Sequence, residues 1–305
     1  MTAPAIGVFL PTMSERGEAV ADLVAAARHA EDLGFESVWA VDQLVAGTGV
    51  PFVDSTVALA AAAGATSRIR LAYGVMILPL RPVVWAAKQV GSLQQVSGGR
   101  VLFGVGVGGD RHGLSWQATG VPRRERGRRT DAALAVLPDL VAGKAVDVDG
   151  ATVQLAPGVA VPPIVVGGMA EGALARAAAY GDGWFSLPLP PAQVGPAAER
   201  LAELAAGSGR PVPQITGSIS VALDGDPTVP DRAGLVRALS DPDGVYGMPA
   251  DAVPDILVIG GPDAVAERIG GWSALGAERV VFTLAAGNWF RQAELLASAV
   301  ASLGR

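Results

Sequence analysis

The sequence predicts an α/β protein with the (β/α)8 architecture of a TIM barrel. Short β-branched runs alternate with alanine-rich amphipathic stretches from one end of the chain to the other. The chain has 305 residues, of which 50% are hydrophobic, and this is enough for one large core. A doubly wound sheet would need a glycine-rich turn after its first strand, whereas residues 11–17 read PTMSERG. We therefore expect a single barrel domain over residues 1–305.

Eight runs are predicted as the strands of this barrel. They cover residues 5–10, 36–41, 69–77, 100–107, 163–167, 183–187, 214–222 and 279–285. The predicted helices cover residues 18–33, 56–65, 83–95, 126–141, 171–180, 192–206, 262–275 and 290–303. Alternating strands and helices with short connections imply parallel strands and right-handed crossovers. In such a barrel the chemistry lies at the carboxyl ends of the strands.

Two segments interrupt the alternation. Residues 145–162 follow the fourth predicted helix and contain a hairpin pattern that turns at Asp149 and Gly150. Residues 224–255, before the last strand, are rich in Pro, Gly and Asp and are too long for an ordinary loop. We expect this second excursion to form a lid over the substrate or an interface element.

The composition excludes several kinds of function. The chain has no cysteine, which excludes disulfides and thiolate nucleophiles. Its two histidines, His29 and His112, are too far apart for a zinc site with H-E-x-x-H spacing, so no metal is expected. A net charge of −6 disfavours nucleic acid as a partner, because phosphate neutralisation needs a basic surface. No apolar run is long enough to span a membrane, and no basic segment precedes the first strand, so we expect a cytoplasmic protein.

A glycine-rich segment follows the fourth predicted strand. Residues 104–109 read GVGVGG and match the G-x-G-x-x-G motif literally, but their place in the chain disagrees with a dinucleotide fold. We interpret the glycines as positions where a flat ligand lies against the barrel mouth. Tight packing of an inner strand is the alternative for Gly104 and for Gly106.

A second glycine pair, Gly167 and Gly168, joins a strand to a helix. Backbone N–H groups at the start of such a helix bind phosphate and other anions. A simple turn between strand and helix is the alternative.

Polar side chains at strand ends are the candidates for proton transfer. Asp42 ends the second strand, where a carboxylate binds a ring N–H or a hydroxyl or holds a base, and an N-cap or loop salt bridge is an equally good interpretation. His112 follows the fourth strand and is the only histidine positioned for acid/base chemistry, with a solvated loop as the alternative. Asp182 precedes its strand and is interpreted as structural. The basic run at residues 123–129 is a solvated helix start or, near the mouth, a site for an acidic cofactor tail.

The remaining side chains offer little strong chemistry. The sequence contains neither a G-x-S-x-G nucleophile elbow nor a G-x-x-x-x-G-K-[ST] phosphate loop. The only lysines, Lys88 and Lys144, lie in or at the end of predicted helices, which argues against a Schiff-base enzyme. We therefore expect a cofactor to supply the chemistry.

Six stretches of the chain carry a resemblance to a known family. They are Ala30–Asp42, Ile69–Val75, Ser97–Gly106, Pro162–Gly168, Gly181–Trp184 and Val258–Ala266. In this order they resemble the luciferase-like flavin- and F420-dependent oxidoreductases, a (β/α)8 family related to bacterial luciferase. Each motif is weak alone, and the ordered set is fairly specific.

The resemblance implies a cofactor site at the barrel mouth. Members of the family carry a non-prolyl cis peptide at the end of the third strand, in a bulge that supports the flavin ring. Here the expected cofactor-binding residues are Gly74 and Val75 in the bulge, Gly106, Val107 and Gly108 beside the ring, and Gly167, Gly168 and Met169 at the ribityl phosphate. Asp42 would approach the pyrimidine end of the ring or the substrate.

The pocket and the acid/base group follow from the same comparison. The expected substrate-pocket residues are Phe9, Trp39, Gln43, Trp184 and Trp289, whose rings suit an apolar or planar substrate. Many F420-using relatives have Asp-His at the end of the second strand, whereas this chain has Asp42 and Gln43. Gln cannot titrate, so His112 is the substitute candidate for the catalytic acid/base.

The leading hypothesis is an oxidoreductase or monooxygenase that uses F420 or FMN on a small organic substrate, with F420 slightly favoured by the basic run and the GC-rich type of composition. A separate flavin or F420 reductase and a homodimer are expected as partners. A non-catalytic flavin-binding barrel and a cofactor-free barrel enzyme acting on a phosphorylated metabolite are the alternatives.

Overall fold

The computed structural model describes residues 3–14, 17–47, 49–109, 113–241 and 248–303. The strands are β1 Ala5–Phe9, β2 Ser37–Ala40, β3 Arg70–Tyr73, β4 Met76–Ile77, β5 Val101–Gly106, β6 Ala145–Val148, β7 Ala151–Gln154, β8 Ile164–Gly167, β9 Gly183–Phe185, β10 Gln214–Leu223, β11 Leu257–Gly260 and β12 Arg279–Leu284. The α-helices are α1 Leu23–Asp32, α2 Ser55–Ala65, α3 Val83–Val96, α4 Leu114–Thr119, α5 Arg126–Val141, α6 Glu171–Tyr180, α7 Pro191–Gly207, α8 Arg232–Ser240, α9 Val253–Ile256, α10 Pro262–Ala274 and α11 Trp289–Leu303. Two short 3-10 helices cover Leu78–Leu80 and Arg123–Glu125.

Eight parallel strands close into a barrel, which confirms the predicted fold. The order around the barrel is β1, β2, β3, β5, β8, β9, β10 and β12. The ring closes where β12 pairs with β1, with Ala5 opposite Arg279. Because every strand runs in the same direction, the loops that follow the strands meet at one end of the barrel, which we call the mouth.

The predicted helices are present, and most begin or end within two residues of the expected positions. The exception is α1, which was predicted from residue 18 and begins at Leu23. Asp22 is its N-cap, since one carboxylate oxygen accepts hydrogen bonds from the N–H groups of Val24 and Ala25, each at 3.0 Å. The helix therefore starts where a side chain can satisfy its first free donors.

The predicted insertion hairpin is confirmed. Strands β6 and β7 pair antiparallel, with Val148 opposite Ala151. The two central residues of the turn, Asp149 and Gly150, have φ values of 53° and 84°. Positive φ at both positions is typical of the tight turns that match the twist of a hairpin.

The third predicted strand is broken by a bulge, as the sequence led us to expect. It divides into β3 and the two-residue strand β4, and the peptide bond between Gly74 and Val75 is cis. Strand β4 rejoins the barrel beside β5, where Met76 lies opposite Val105. The bulge therefore lies at the mouth, between two strands.

The long excursion at residues 224–255 contains α8 and most of α9, and residues 242–247 lie outside the described part of the chain. The next residues form β11, a strand that the sequence analysis missed, which pairs in parallel with the end of β10. A small apolar cluster joins these elements through Ala222, Leu235, Leu239, Val253 and Leu257. The excursion is thus a packed attachment to β10.

Besides this small cluster, the apolar core has two parts. Most buried side chains lie between the strands and the surrounding helices. A separate cluster fills the inside of the barrel, formed by Phe9, Trp39, Ala72, Leu102 and Val281, with Phe185 packed against it. In the described segments, no helix combines the length and apolar character that a membrane crossing would require.

Candidate active site

Three aromatic rings close the inside of the barrel below the mouth. Trp39 and Phe185 are stacked, with ring centroids 5.1 Å apart, and Phe9 lies 6.2 Å from Trp39 and 6.3 Å from Phe185. The indole N–H of Trp39 donates to the hydroxyl of Ser37 at 2.8 Å, so the polar atom of this buried ring is satisfied. The structure brings together the predicted pocket residues Phe9 and Trp39. It adds Phe185, which the sequence analysis did not select.

Trp184 is not a pocket wall, which corrects the sequence prediction. Successive residues of a strand face opposite sides, so Phe185 points into the barrel and Trp184 points towards the helices. The Trp184 ring is fully buried, and its indole N–H donates to the carbonyl of Gly168 at 2.7 Å. Its role is to hold the loop that follows β8.

The side chain of Val75 occupies the space that several strand-end glycines leave open. A Cβ atom on Gly106 would lie 2.6 Å from Cγ2 of Val75, and one on Gly167 would lie 3.1 Å from its Cγ1. Gly104 is a third close neighbour of the same side chain. These glycines therefore make room for the bulge.

Gly74 and Gly108 also lie so close to neighbouring side chains that a Cβ atom would not fit. A Cβ on Gly74 would lie 2.5 Å from the ring of Phe9 and 3.0 Å from that of Trp39. A Cβ on Gly108 would lie 2.6 Å from Ile77, and the φ of Gly108 is 78°.

Gly74 and Val75 remain partly exposed at the mouth above the aromatic rings. We call the surface formed by Gly74, Val75, Gly106 and Gly167 the Val75 shelf. Val107, the residue after β5, is also partly exposed.

The start of α6 fits the expected anion site only in part. No side chain caps the helix at Ala170, which leaves its first N–H groups without a side-chain acceptor. The N–H of Gly168 is already used, because it donates to the carbonyl of Phe185 at 3.1 Å. Met169 is partly buried and packs against the core. An anion at this end would therefore bind the donors that follow Gly168.

A partly buried arginine lies near the same helix end. Arg176 of α6 forms an ion pair with Asp131 of α5. Its guanidinium lies 2.8 Å from the position of a Cβ on Gly127 and 3.6 Å from that of a Cβ on Gly172. Because Gly127 and Gly172 have no side chains, the guanidinium of Arg176 fits between the amino-terminal turns of α5 and α6.

Asp42 is engaged in a buried ion pair, the second of the two interpretations left open by the sequence. One carboxylate oxygen accepts from Arg81 at 2.7 Å and from the Ser55 hydroxyl at 2.8 Å. The other accepts from Arg81 and from the N–H of Ile77, each at 2.7 Å. Burial lowers the pKa of Arg81, but its hydrogen bonds and charge interaction with Asp42 outweigh this and raise it. With four donors on two oxygens, Asp42 is poorly arranged to accept a proton from a substrate.

Gln43 ties the loop after β2 to α4. Its amide nitrogen donates to the carbonyl of Val45 at 3.0 Å and to the Ser115 hydroxyl at 3.4 Å. The Ser115 hydroxyl also accepts from the N–H of Val45 at 3.1 Å. His112, the candidate acid/base, lies outside the described residues, so its place relative to Gln43 stays a prediction.

Trp289 lies at the mouth and is tied to the first strand. Its indole N–H donates to the carbonyl of Phe9 at 2.9 Å. The preceding residue, Asn288, donates its N–H to the carboxylate of Asp226 at 2.8 Å. Burial raises the pKa of Asp226, but hydrogen bonds from Thr228, Asn288 and Gln292 outweigh this and hold it below its usual range. The loop after β10 is therefore fastened to the start of α11 beside the aromatic rings.

The basic run at residues 123–129 ends close to the segment that follows the bulge. Arg129 donates to the carbonyl of Pro79 at 3.2 Å, which places the start of α5 beside the segment that follows β4. Arg128 pairs with Glu125 at 3.0 Å. Arg123 and Arg124 are exposed, and neither has a carboxylate partner within the described ranges.

Asp182 lies at the opposite end of the barrel, as its structural interpretation requires. Its carboxylate accepts a hydrogen bond from the N–H of Ile164 at 2.9 Å.

Comparison with known proteins agrees with the fold. A family model described as luciferase-like monooxygenase matches residues 5–233. An uncharacterized protein of Mycobacterium tuberculosis is 37% identical over 143 residues, which are 45% of this chain and 49% of that protein. The match thus spans about half the length of this curated relative.

Two solved structures share the fold over nearly the whole chain. An F420-dependent secondary alcohol dehydrogenase in complex with an F420-acetone adduct has a TM-score of 0.80 at 18% identity, covering 99% of each chain. The oxygenating constituent of 3,6-diketocamphane monooxygenase from the CAM plasmid of Pseudomonas putida, in complex with FMN, has a TM-score of 0.75 at 17% identity. That match covers 99% of this chain and 98% of the other.

Proposed function

Because the chain belongs to the luciferase-like monooxygenase family, we propose that it is an oxidoreductase that binds F420 or FMN at the barrel mouth and acts on a small organic substrate. The observation that carries the proposal is the Val75 shelf. The bulge at Gly74 and Val75 presents a partly exposed apolar surface above the buried rings of Phe9 and Trp39 and the partly buried ring of Phe185. Such a surface fits the face of a planar ring.

The residues present suit each part of the cofactor. Gly74 and Val75 would support the ring, with Gly106, Val107 and Gly108 at its edge. The uncapped start of α6 after Gly167, Gly168 and Met169 would bind the phosphate, with the guanidinium of Arg176 close to the same turn. When bound, reduced F420 supplies a hydride, and reduced FMN supplies electrons to oxygen as well.

The protein's own side chains would bind, orient and exclude water. Asp42 is saturated with donors and Gln43 does not titrate, so neither is suited to pass a proton. Phe9, Trp39 and Phe185 make the floor of the mouth apolar, which suits an apolar or planar substrate. His112 remains the proposed acid/base.

Between the two cofactors we favour F420. Arg123 and Arg124 are exposed and have no carboxylate partners among the described residues, and Arg129 at the end of the same basic run contacts the segment that follows the bulge. F420 carries an oligoglutamate tail that such a surface would attract, and FMN does not. A reductase that regenerates the reduced cofactor would then be a separate partner.

The cofactor and the reaction can be tested together. Titration with F420 and with FMN, followed by absorbance difference spectra, should show saturable binding of F420. Consumption of reduced F420 with small alcohols, ketones or enones, without oxygen uptake, would support hydride chemistry. Oxygen-dependent turnover with reduced FMN and no F420 binding would overturn our choice of cofactor. Binding without any turnover would instead support a flavin-sequestering barrel, and sugar-phosphate binding without either cofactor would support a cofactor-free enzyme.

The outer face of α2 and α3 supports the proposed homodimer. Helix α2 has no charged residue and α3 has only Lys88, whereas every other described helix of ten or more residues carries charges of both signs. Val57, Trp85 and Val96 on this face are 62%, 66% and 70% exposed. Exposed aromatic and aliphatic side chains with few charges are typical of an interface core.

A second copy of the chain is the partner that this face suits. Two molecules with a net charge of −6 repel each other least through a surface that has no carboxylates. Light scattering should show a dimer for the natural chain and a monomer for Trp85→Glu. Val212→Glu, at a valine that is 53% exposed and lies outside this face, should remain a dimer. A monomeric natural chain would overturn the dimer proposal.

A further inference from the structure

The segment after the bulge has few polar attachments to the rest of the barrel. The N–H of Gly74 donates to the carbonyl of Ala40 at 2.8 Å. Strand β4 pairs with β5 over two residues only. The N–H of Ile77 donates to the carboxylate of Asp42 at 2.7 Å. Asp42 therefore supplies the one side-chain acceptor for the backbone of residues 74–77 in the part of the chain that the structure describes.

The carboxylate of Asp42 bridges three separate elements of the fold. Asp42 follows β2, Ser55 is the first residue of α2, and Arg81 follows the 3-10 helix behind the bulge. Arg81 makes two parallel hydrogen bonds to the carboxylate, and its guanidinium also lies 3.5 Å from Asp54. A bidentate pair of this kind fixes orientation as well as distance. The segment that follows the bulge is thus held at two points, Ile77 and Arg81.

The position of Val75 depends on this attachment. Val75 lies two residues before Ile77, and its methyl groups fit against Gly106 and Gly167 with little spare room. A shift of the segment would move the valine off the two neighbouring strands. Even a small shift of this segment would change the binding surface strongly, because reacting groups must be held within fractions of an ångström.

We propose that Asp42 and Arg81 are positioning residues that fix the Val75 shelf, and hence the ring of the cofactor, at the mouth of the barrel. The part that concerns the cofactor rests on the proposed function. The part that concerns the segment 74–81 does not, since it describes the protein alone. The role assigned to Asp42 is therefore to act through the backbone of Ile77, without touching the substrate.

The chain contains a matched control at the other end of the barrel. Arg279, at the start of β12, makes two hydrogen bonds to Glu36, each at 2.8 Å. The side chain of Arg279 is 6% exposed and that of Arg81 is 19% exposed. Both pairs are therefore bidentate and largely buried, but only the first touches the bulge.

The first experiment compares hydrogen exchange of backbone amides in the free protein. The variants are Asp42→Asn with Arg81→Met, and Glu36→Gln with Arg279→Met. Removing both partners avoids leaving one buried charge unpaired. We expect the first double variant to exchange the amides of residues 74–81 at least about 10-fold faster, because the acceptor for Ile77 is weakened. Equal protection of this segment in both double variants would overturn the proposal.

The second experiment measures cofactor dissociation constants for the same variants at a temperature where both are folded. We expect the Asp42 and Arg81 variant to bind F420 or FMN about 10-fold to 100-fold more weakly, and the control variant to bind as the natural chain does. If Asp42 and Arg81 had a purely structural role, both double variants would unfold at a lower temperature but bind the cofactor as tightly as the natural chain. That result would overturn the part of the proposal that concerns the cofactor. If the natural chain binds neither cofactor, the proposed function fails, while the exchange experiment still decides the role of the pair in the segment.

Discussion

Cγ2 of Val75 lies 2.6 Å from the place where a Cβ atom on Gly106 would be. The cis bulge and the glycines of the neighbouring strands are therefore one packing unit, in which a side chain from one strand fills a space left by the next two. This relationship links the glycine pattern of the sequence to the surface that would support a cofactor.

The first prediction concerns that unit. Gly106→Ala should displace Val75 and weaken cofactor binding by roughly 10-fold, which corresponds to about 1.4 kcal/mol. Gly109→Ala is the matched control, since a Cβ there meets nothing within 4 Å. Isothermal titration of both variants would check this. Equal affinities in the two variants would show that Val75 does not shape the site.

The second prediction concerns the hydrogen bond from Trp184 to the carbonyl of Gly168. Trp184→Phe should remove this bond and lower the free energy of unfolding by about 1 kcal/mol, beyond the loss of ring size. It should also weaken binding of phosphate-bearing cofactors, because the loop before α6 is loosened. Trp272→Phe is the control, since Trp272 is equally buried and its indole nitrogen has no hydrogen-bond partner among the described residues. Urea unfolding and cofactor titration of both variants are the measurements.

The third prediction concerns the acid stability of the barrel. Burial raises the pKa of Glu36, but the hydrogen bonds and charge of Arg279 outweigh this and lower it. A carboxylate with a lowered pKa in the folded state stabilises the protein above its unfolded pKa of about 4.3, and this stabilisation is lost as the pH falls through the folded value. Glu36→Gln should therefore be less stable at neutral pH and should lose less stability on acidification. Unfolding curves measured from neutral to acid pH would check the slope, and parallel curves for variant and natural chain would contradict the prediction.

The fourth prediction separates the two cofactors. Replacing Arg123 and Arg124 by Gln should weaken F420 binding several-fold at low salt and leave FMN binding unchanged, because only F420 carries an extended acidic tail. The effect should disappear as the ionic strength rises. Arg68→Gln is a suitable control, since Arg68 is an equally exposed arginine that precedes β3 and so lies away from the mouth. A matching loss of F420 affinity in the control would mean that overall charge, and not the basic run, is responsible.

Much of the fold was predictable because it depends on local patterns. The alternation of short apolar runs with amphipathic stretches identified the eight barrel strands. The turn at Asp149 and Gly150 was also predicted correctly from its local pattern. The cis bond between Gly74 and Val75 was predicted correctly from the family resemblance. Strand β11 was missed, since its role depends on pairing with β10 after a long excursion.

The side-chain roles at the site were less predictable. The sequence shows that Trp184 and Phe185 are neighbours on one short strand, but only the assembled barrel decides which of them faces inward. It likewise shows an aspartate at the end of β2, and only the tertiary structure supplies Arg81, 39 residues later, as its partner.

The sequence by itself thus determined the barrel and the strand ends where glycines gather, because each follows from backbone preference and apolar periodicity within a few residues. The position of the bulge followed from the resemblance to the luciferase-like family. The tertiary structure alone decided that Val75 fills the glycine spaces, that Trp184 supports the loop before α6 and that Asp42 is saturated with donors. The physical reason is that packing and hydrogen-bond partners are shared between strands and loops far apart in the chain, so no local pattern records them.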